Sequence, residues 1–353
     1  MEMSTAATAT GPSVRERALI AAARAGDESA YAALVEPHRR ELRAHCYRML
    51  GSVHDADDAV QDAMLRAWRG LPRFEGRSTT RSWLYKITTN ACLNAIARRP
   101  KGRVLPLDFG PAGDPHDGAG APLVEAVWVE PYPDADLPLA DTFAAPDARY
   151  DQRESVELAF VAALQLLPPN QRAALIMREV LGFSAKESAD TLDTTVASIN
   201  SALQRARKTI DDKLPDRSQQ ATLRTLGDEE IQALVERYVA AWERNDVDAV
   251  VAMLTEDATF SMPPNLAWFR GLADIATFLP TGPMSRPRRF RPVAANGQLA
   301  FGTYIWEDDL SHFRPNAIHL IDVRGGKISA MTAFLDPSVF TQFGLPDHLP
   351  DDR

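Results

Sequence analysis

Ten basic side chains crowd one window of the chain. Arg66, Arg69, Arg73, Arg77, Arg81, Lys86, Arg98, Arg99, Lys101 and Arg103 stand between Met64 and Arg103, opposed by Glu75 alone, a local charge of +9. Phe74, Trp83 and Tyr85 are threaded among them. Single-stranded nucleic acid needs that mixture, because bases stack on aromatic faces while cations follow the backbone. A second set lies further on. Ser198, Asn200, Ser201, Gln204, Arg205 and Lys208 recur at helical spacing opposite an apolar stripe of Val196, Ile199, Leu203, Ala206 and Ile210. Small polar and basic side chains so placed can meet base edges and phosphates of a duplex. A third set, Asp257, His319 and Asp322, could do acid–base work in a pocket. His319 and Asp322 lie three positions apart on one predicted strand, so they point to opposite faces, which argues against a dyad.

The charge pattern sharpens the first reading. The whole chain is acidic, with 48 Asp and Glu against 39 Lys and Arg. The excess sits from Val104 to Ala159, where twelve acids face only Arg149 and Arg153, a local charge of -10. A basic block suits a polyanion, and an acidic block can stand in for that polyanion within the same chain. At 353 residues the chain exceeds one core, and about two to three domains are expected. No run of apolar residues is long enough for a membrane span. Cys46 and Cys92 are far apart, and His38 and His45 near Cys46 read as helix packing, not a ligand set. A reducing, cytoplasmic setting is expected, with no cofactor and no metal.

The elements that must position these residues are helical in the first two thirds of the chain. The expected helices are Arg15 to Ala25, one opened by Asp27 with Tyr31, Leu34 and Val35 inward, and one carrying Leu42, Cys46, Met49 and Leu50 that stops at Gly51. Asp55 is expected to start the next, DADDAVQDAMLRAWRGL, with Val60, Ala63, Met64, Ala67 and Leu71 buried. Its acids come first and its arginines last, the order the helix dipole favours. In WLYKITTNACLNAIARR, Trp83, Ile87, Ala91 and Ile96 form the expected apolar side and Lys86, Thr89, Asn90, Asn94 and Arg98 the other. Further along, Ser184 and Glu187 have the spacing of a capping box, with Ala189 and Leu192 inward. Asp193 and Thr194 break the period, and Thr194 or Thr195 caps the helix that carries the second set. Two helices so joined form a helix-turn-helix, whose second helix enters the major groove.

The rest of the chain is linker and a third unit. Residues 104–150 are rich in Pro, Gly and Asp, too polar for a core of their own. Within them WVEPYPD, Trp128 to Asp134, is a stiff aromatic peptide suited to docking in a groove. After a bridge, Ile231, Leu234, Val235, Tyr238 and Trp242 make a helix face, and Asp246 opens a second helix. A helix at Leu272 to Phe278 precedes strands at Arg289 to Ala294, Leu299 to Glu307, Ala317 to Val323 and Lys327 to Phe334. Gly325-Gly326 is a hairpin turn signal. Helices followed by antiparallel strands read as α+β.

The strings DADDAVQDAMLRAWRGLPRFEGRSTTRSWLYKITTNACLNAIARR and LPPNQRAALIMREVLGFSAKESADTLDTTVASINSALQRAR, in that order and without a module between them, carry a family resemblance. They resemble regions 2 and 4 of the group 4, extracytoplasmic-function sigma factors of bacterial RNA polymerase. With AANGQLAFGTY and WVEPYPD, nearly the whole chain resembles sigma factors that carry a C-terminal SnoaL-like domain. The fold class implied is multidomain: two all-α sigma modules, a region 2 helical bundle and a region 4 helix-turn-helix, followed by an α+β NTF2-like cone. The boundaries expected are a tail at 1–13, region 2 at 14–103, the linker at 104–150, region 4 at 151–215, a bridge at 216–227 and the SnoaL-like domain at 228–345. The resemblance implies that Asp58, Gln61, Asp62, Leu65 and Trp68 bind the β′ clamp of core RNA polymerase, and that region 4 meets the β flap. Phe74, Arg77, Arg81, Lys86, Asn90, Asn94 and Arg98 would engage the −10 element, where flipping a base costs a few kcal/mol of unstacking. Ser198, Asn200, Ser201, Gln204, Arg205 and Lys208 would read the −35 duplex. Ala197 and Asn200 stand where relatives often carry Lys and Arg, so a −35 base preference does not transfer. Trp128, Pro131, Tyr132, Pro133 and Asp134 would form a regulatory contact with the SnoaL-like domain; a separate anti-sigma protein is allowed but not required. The other readings are a conventional helix-turn-helix regulator with a ligand-binding domain, and an isomerase or hydrolase in the third unit.

Overall fold

The computed structural model describes residues 13–76, 78–98, 103–123, 128–137 and 154–350. Arg77, Arg99, Lys101 and most of the expected 1–13 tail lie outside them. The chain divides into two compact units. The first comprises Met1–Pro100, Asp136–Tyr150 and Leu166–Asp211; the second comprises Lys101–Ala135, Asp151–Gln165 and Asp212–Arg353. The expected 151–215 module is thus divided, since residues through Gln165 group with the second unit.

Local capping sets the helices of the first unit. The Val14–Arg24 helix opens on a reciprocal box, with Ser13 Oγ accepting from Glu16 N and Glu16 Oε2 accepting from Ser13 N. The Val53–Gly70 helix starts two residues earlier than expected because Ser52, not Asp55, is its cap; Ser52 Oγ accepts from the Asp55 amide at 3.1 Å. Its buried stripe is Ala56, Ala59, Val60, Ala63, Met64 and Ala67. The Thr80–Ala97 helix departs from the expected face. Leu84, Tyr85, Thr88, Thr89, Ala91 and Cys92 are buried, whereas Trp83, Ile87 and Ile96 are half-buried. The reason lies on the neighbouring Arg39–Leu50 helix. Buried Glu41 there receives the Tyr85 hydroxyl at 3.2 Å, Arg81 Nε at 2.9 Å and His38 Nδ1 at 2.6 Å. His45 Nε2 meets Thr89 Oγ1 at 2.9 Å. Polar partners waiting in the core turn this helix inward along a side that an apolar period does not mark. Cys46 and Cys92, distant in sequence, are free, buried neighbours, and burial and each other's presence push the Cys46 thiol well above its ordinary range.

The helix-turn-helix also belongs to the first unit. The Ala185–Thr191 helix is capped by the Ser184–Glu187 box. Asp193 takes a left-handed turn at φ 49°, and Thr195, whose Oγ1 accepts from the Ser198 amide at 3.1 Å, caps the Val196–Asp211 helix. Ala174, Ala189, Ile199 and Ala202 pack as its core, three of them alanines that let helix backbones approach closely. Val196 is not part of the buried stripe; it is exposed at the first turn, before the helix reaches its neighbours.

The second unit is α+β. Its sheet contains β1 (Leu254–Ser261), β2 (Trp268–Arg270), β3 (Arg288–Ala295), β4 (Gln298–Glu307), β5 (His312–Arg324) and β6 (Lys327–Phe334), in the order β2-β1-β6-β5-β4-β3. The sheet is mixed, not wholly antiparallel as expected, because β1 runs parallel to β6, with Phe260 opposite Met331. The Asp228–Glu243 helix lays Leu234, Tyr238, Ala241 and Trp242 onto the sheet, where Phe260, Phe278 and Phe301 join the core. Gly325-Gly326 turns β5 into β6, and Asn296-Gly297 turns β3 into β4 with both residues left-handed, at φ 55° and 63°. That conformation at both central positions is what makes Asn-Gly a favoured two-residue hairpin turn. Residues 103–123 and 128–135 are not a free linker. They lie on this unit, tied by Gly113 N to Trp268 O at 2.8 Å, Trp268 Nε1 to Gly110 O at 2.9 Å and Leu123 N to Pro264 O at 3.0 Å.

Candidate functional site

Three surfaces of the first unit hold the residues picked out for nucleic acid and polymerase. On the Val196–Asp211 helix, Ser198, Asn200, Ser201, Gln204, Arg205 and Lys208 are all exposed. Arg205 Nη1 donates to Ser201 Oγ at 2.7 Å, which holds the guanidinium along the helix. On the Val53–Gly70 helix, Asp58, Gln61 and Leu65 are exposed along one face, Leu65 at 52%. Asp62 pairs with Arg66 at 2.8 Å, and Trp68 packs edge-on against Tyr31 with centroids 4.9 Å apart.

The −10 candidates are unequally placed. Phe74 is only 6% exposed and stacks on Trp83 at 4.6 Å. Arg81 is committed to Glu41 and sits 4.9 Å from the ring centres of both Tyr85 and Phe183. In this arrangement both pack into the unit's interior. Asn94 and Arg98 are exposed and Asn90 is half-buried. Lys86 reaches the helix-turn-helix while still partly exposed: its Nζ donates to Asp190 O at 2.9 Å and pairs with Asp193 at 2.5 Å. Tyr85 meets Phe183 edge-on at 5.2 Å beside it. The turn of the helix-turn-helix therefore covers part of the Thr80–Ala97 helix.

In the second unit, WVEPYPD is clasped by the Asn296 turn. Tyr132 N donates to Asn296 Oδ1 at 2.8 Å, and Asn296 N donates to Tyr132 O at 2.9 Å. Asn296 Nδ2 donates to Val156 O at 2.7 Å, and Gly297 N to Asp134 Oδ1 at 2.8 Å. Trp128, Pro131, Tyr132 and Pro133 are buried there. Downstream, Glu157 caps the Gln219–Leu226 helix, accepting from the amides of Gln219 and Gln220 at 2.9 and 2.8 Å. Burial raises the Glu157 pKa to about 7 despite those bonds, and nearby Asp322 and Glu154 push it the same way. Sequence reasoning missed Asn296. The Asn-Gly pair was a visible turn signal, but nothing in it announces a side chain that holds two distant backbones.

The family descriptions match in this order: Sigma-70 region 2 over residues 34–101, Sigma-70 region 4 over 157–210 and a SnoaL-like domain over 235–331. The ECF RNA polymerase sigma factor SigG of Mycobacterium tuberculosis is 42% identical over 330 residues, covering 92% of this chain and 86% of its own length. The chain belongs to the extracytoplasmic-function sigma factors of RNA polymerase. SigJ of the same organism is 26% identical over 321 residues, 87% of this chain and 92% of its own. The crystal structure of that factor aligns with a TM-score of 0.57 at 25% identity, over 90% of this chain and 99% of its own. This sigma factor thus directs promoter-specific transcription initiation and carries a SnoaL-like regulatory domain.

Inside the SnoaL-like cone is a cavity of about 210 Å³. His319 lines it, bonded through Nε2 to the Tyr238 hydroxyl at 3.1 Å. Burial, with Arg288 adding, drives its pKa down to about 3, so the imidazole is neutral. Asp322 is elsewhere, hydrogen-bonded to Gln298, and burial raises its pKa to about 6. Asp257 is exposed and paired with Arg324, which holds its carboxyl below the usual range. The three acid–base candidates do not converge. Among the described residues no group of three or more His, Cys, Asp and Glu side chains could hold a metal ion, and no helix is long and apolar enough to cross a membrane.

Proposed function

We propose that the second unit of this sigma factor regulates it by gripping the connection between regions 2 and 4, and that the observation carrying this reading is the clasp of Asn296 on Tyr132 and Val156. These two residues flank the stretch that joins the promoter-reading modules. A grip on both ends fixes the span available to them. Because the domain is fused, its effective concentration at the linker is high, and modest docking suffices without a separate anti-sigma protein. The SnoaL-like domain acts here as a dock and not as a catalyst, which the scattering of Asp257, His319 and Asp322 supports.

On this reading Asp58, Gln61, Asp62, Leu65 and Trp68 seat on the β′ clamp of the core polymerase. Asn90, Asn94 and Arg98 meet the −10 strand. Ser198, Asn200, Ser201, Gln204, Arg205 and Lys208 meet the −35 duplex. Lys86 joins the −10 set once its partner Asp193 moves away. That exchange is inexpensive: a half-exposed ion pair is worth about 0–1 kcal/mol, so promoter phosphates can displace Asp193.

The test is promoter-specific transcription in vitro with purified core enzyme, comparing the full chain, a chain ending at Asp216, and Asn296→Ala. The expected result is altered transcript yield in both variants with core binding retained. Unchanged yield and unchanged core affinity in both would remove the regulatory reading.

A further inference from the structure

The cone cavity presents polar groups that the protein itself leaves without partners. Trp242 is 1% exposed, and its indole N–H is turned towards the Tyr238 hydroxyl. Asn265 is 8% exposed, and among the described residues its Oδ1 has no donor. Arg288, also 8% exposed, gives its Nε to the Pro283 carbonyl and has no carboxylate partner among the described residues. All three line the same cavity, whose walls include no Asp or Glu; a second guanidinium there, Arg286, is paired with Glu307 at 3.2 Å. Burying a guanidinium without a counter-ion is costly, as is leaving an amide oxygen without a donor. Sites that accept such costs are sites where a ligand supplies the missing partner.

We infer that the SnoaL-like cone of this sigma factor binds a small organic carboxylate with an apolar body, its anion on Arg288. The ligand's size follows from the volume, about 210 Å³, below the roughly 300 Å³ at which drug-sized sites begin. Its apolar body meets Phe260, Phe278 and Phe290. Asn265 Oδ1, an acceptor, suits a hydroxyl or amine on the same molecule. His319 is neutral and bonded to Tyr238, so it packs against the body and does not compete for the anion.

The cavity also touches the linker. Ala119 lines it, and Pro122 forms a β-bridge with Asn265. The strap from Gly110 to Leu123 thus forms part of the cavity wall, and a ligand inside adds contacts to the strap's inner side. Occupancy is therefore expected to tighten the strap on the cone. Anion binding stands on the cone alone and survives if the regulatory reading fails; tightening of the strap joins the two.

The experiment is titration calorimetry on the full chain with benzoate, cyclohexanecarboxylate and hexanoate, each against its neutral amide. A hydrogen bond to a charged group is worth roughly 1.5–3 kcal/mol, so a carboxylate is expected to bind about 10-fold or more tighter than its amide. Arg288→Gln is expected to erase that preference. Asn265→Asp, which keeps the volume and opposes the anion, is expected to weaken carboxylates and spare amides; it serves should Arg288→Gln not fold. Slower hydrogen exchange across Gly110 to Leu123 with benzoate would link the site to the strap. Failure of all three acids to bind, equal affinity for acids and amides, or acid binding that both variants leave intact would overturn the proposal. Because no polymerase is present, these outcomes are separate from the transcription test.

Discussion

Single side chains here carry more than one obligation, and the sequence shows only one of them. Arg81 and Phe74 have the residue types of a base-capturing loop, yet Glu41, Tyr85 and Phe183 claim Arg81 and Trp83 claims Phe74. The exposure of the −35 candidates was legible because helical spacing alone decides which side chains face out. The burial of the −10 candidates was legible only in part, because a buried carboxylate two helices away leaves no mark on the local pattern. Lys86 marks the boundary between the two cases. If Lys86 holds a phosphate as proposed, Lys86→Ala is expected to lower promoter-dependent transcription and to reduce the salt slope of promoter binding by about one. Asp193→Ala frees Lys86 and is expected to leave yield unchanged or raise it. Binding isotherms at several salt concentrations with both variants would check the pair, and a drop in yield for Asp193→Ala would show that Asp193 is not a competitor for Lys86.

Elements were easier to foresee than their faces. The Ser184–Glu187 box, the Gly51 stop and the strand at Lys327–Phe334 were all readable, because capping and alternation act locally. The parallel pairing of β1 with β6 was not, since it depends on which strand edge the chain returns to. The cap on the Gln219–Leu226 helix is also non-local and gives a pH signature. Burial raises the folded pKa of Glu157 from the ordinary 4.5 to about 7. A carboxyl whose folded pKa is raised binds its proton more tightly folded than unfolded. Its contribution is therefore fully present below the unfolded value and is lost as pH rises towards 7. Asp322, raised to about 6, acts in the same direction. The second unit is expected to be more stable near pH 5 than near pH 8, by on the order of 2 kcal/mol. Glu157→Gln is expected to flatten that slope. Chemical denaturation followed at both pH values would check it, and a wild-type stability that rises with pH would contradict it.

At the scale of the whole molecule, charge segregation was legible but its use was not. The acidic 104–159 stretch could have neutralised the basic block directly. Instead, among the described residues, Asp136 pairs with Arg43, which lies outside that block, and Glu130 with Arg103 at its very end. At the Asn296 turn the linker is held chiefly by neutral groups: Tyr132, the prolines beside it and the Asn296 amide. This distinction is testable by salt. A linker held by ion pairs loosens as ionic strength rises, whereas buried hydrogen bonds are little screened. Asn296→Ala leaves the Tyr132 amide and the Val156 carbonyl buried without those partners, at about 1–3 kcal/mol each. It is expected to raise protease cleavage in the 124–153 stretch several-fold. The wild-type rate is expected to change little between low and moderate salt. A rate that climbs with salt in the wild type but is unmoved by Asn296→Ala would assign the grip to charge, and the regulatory contact would then have to be sought among the acids and not at the Asn-Gly turn.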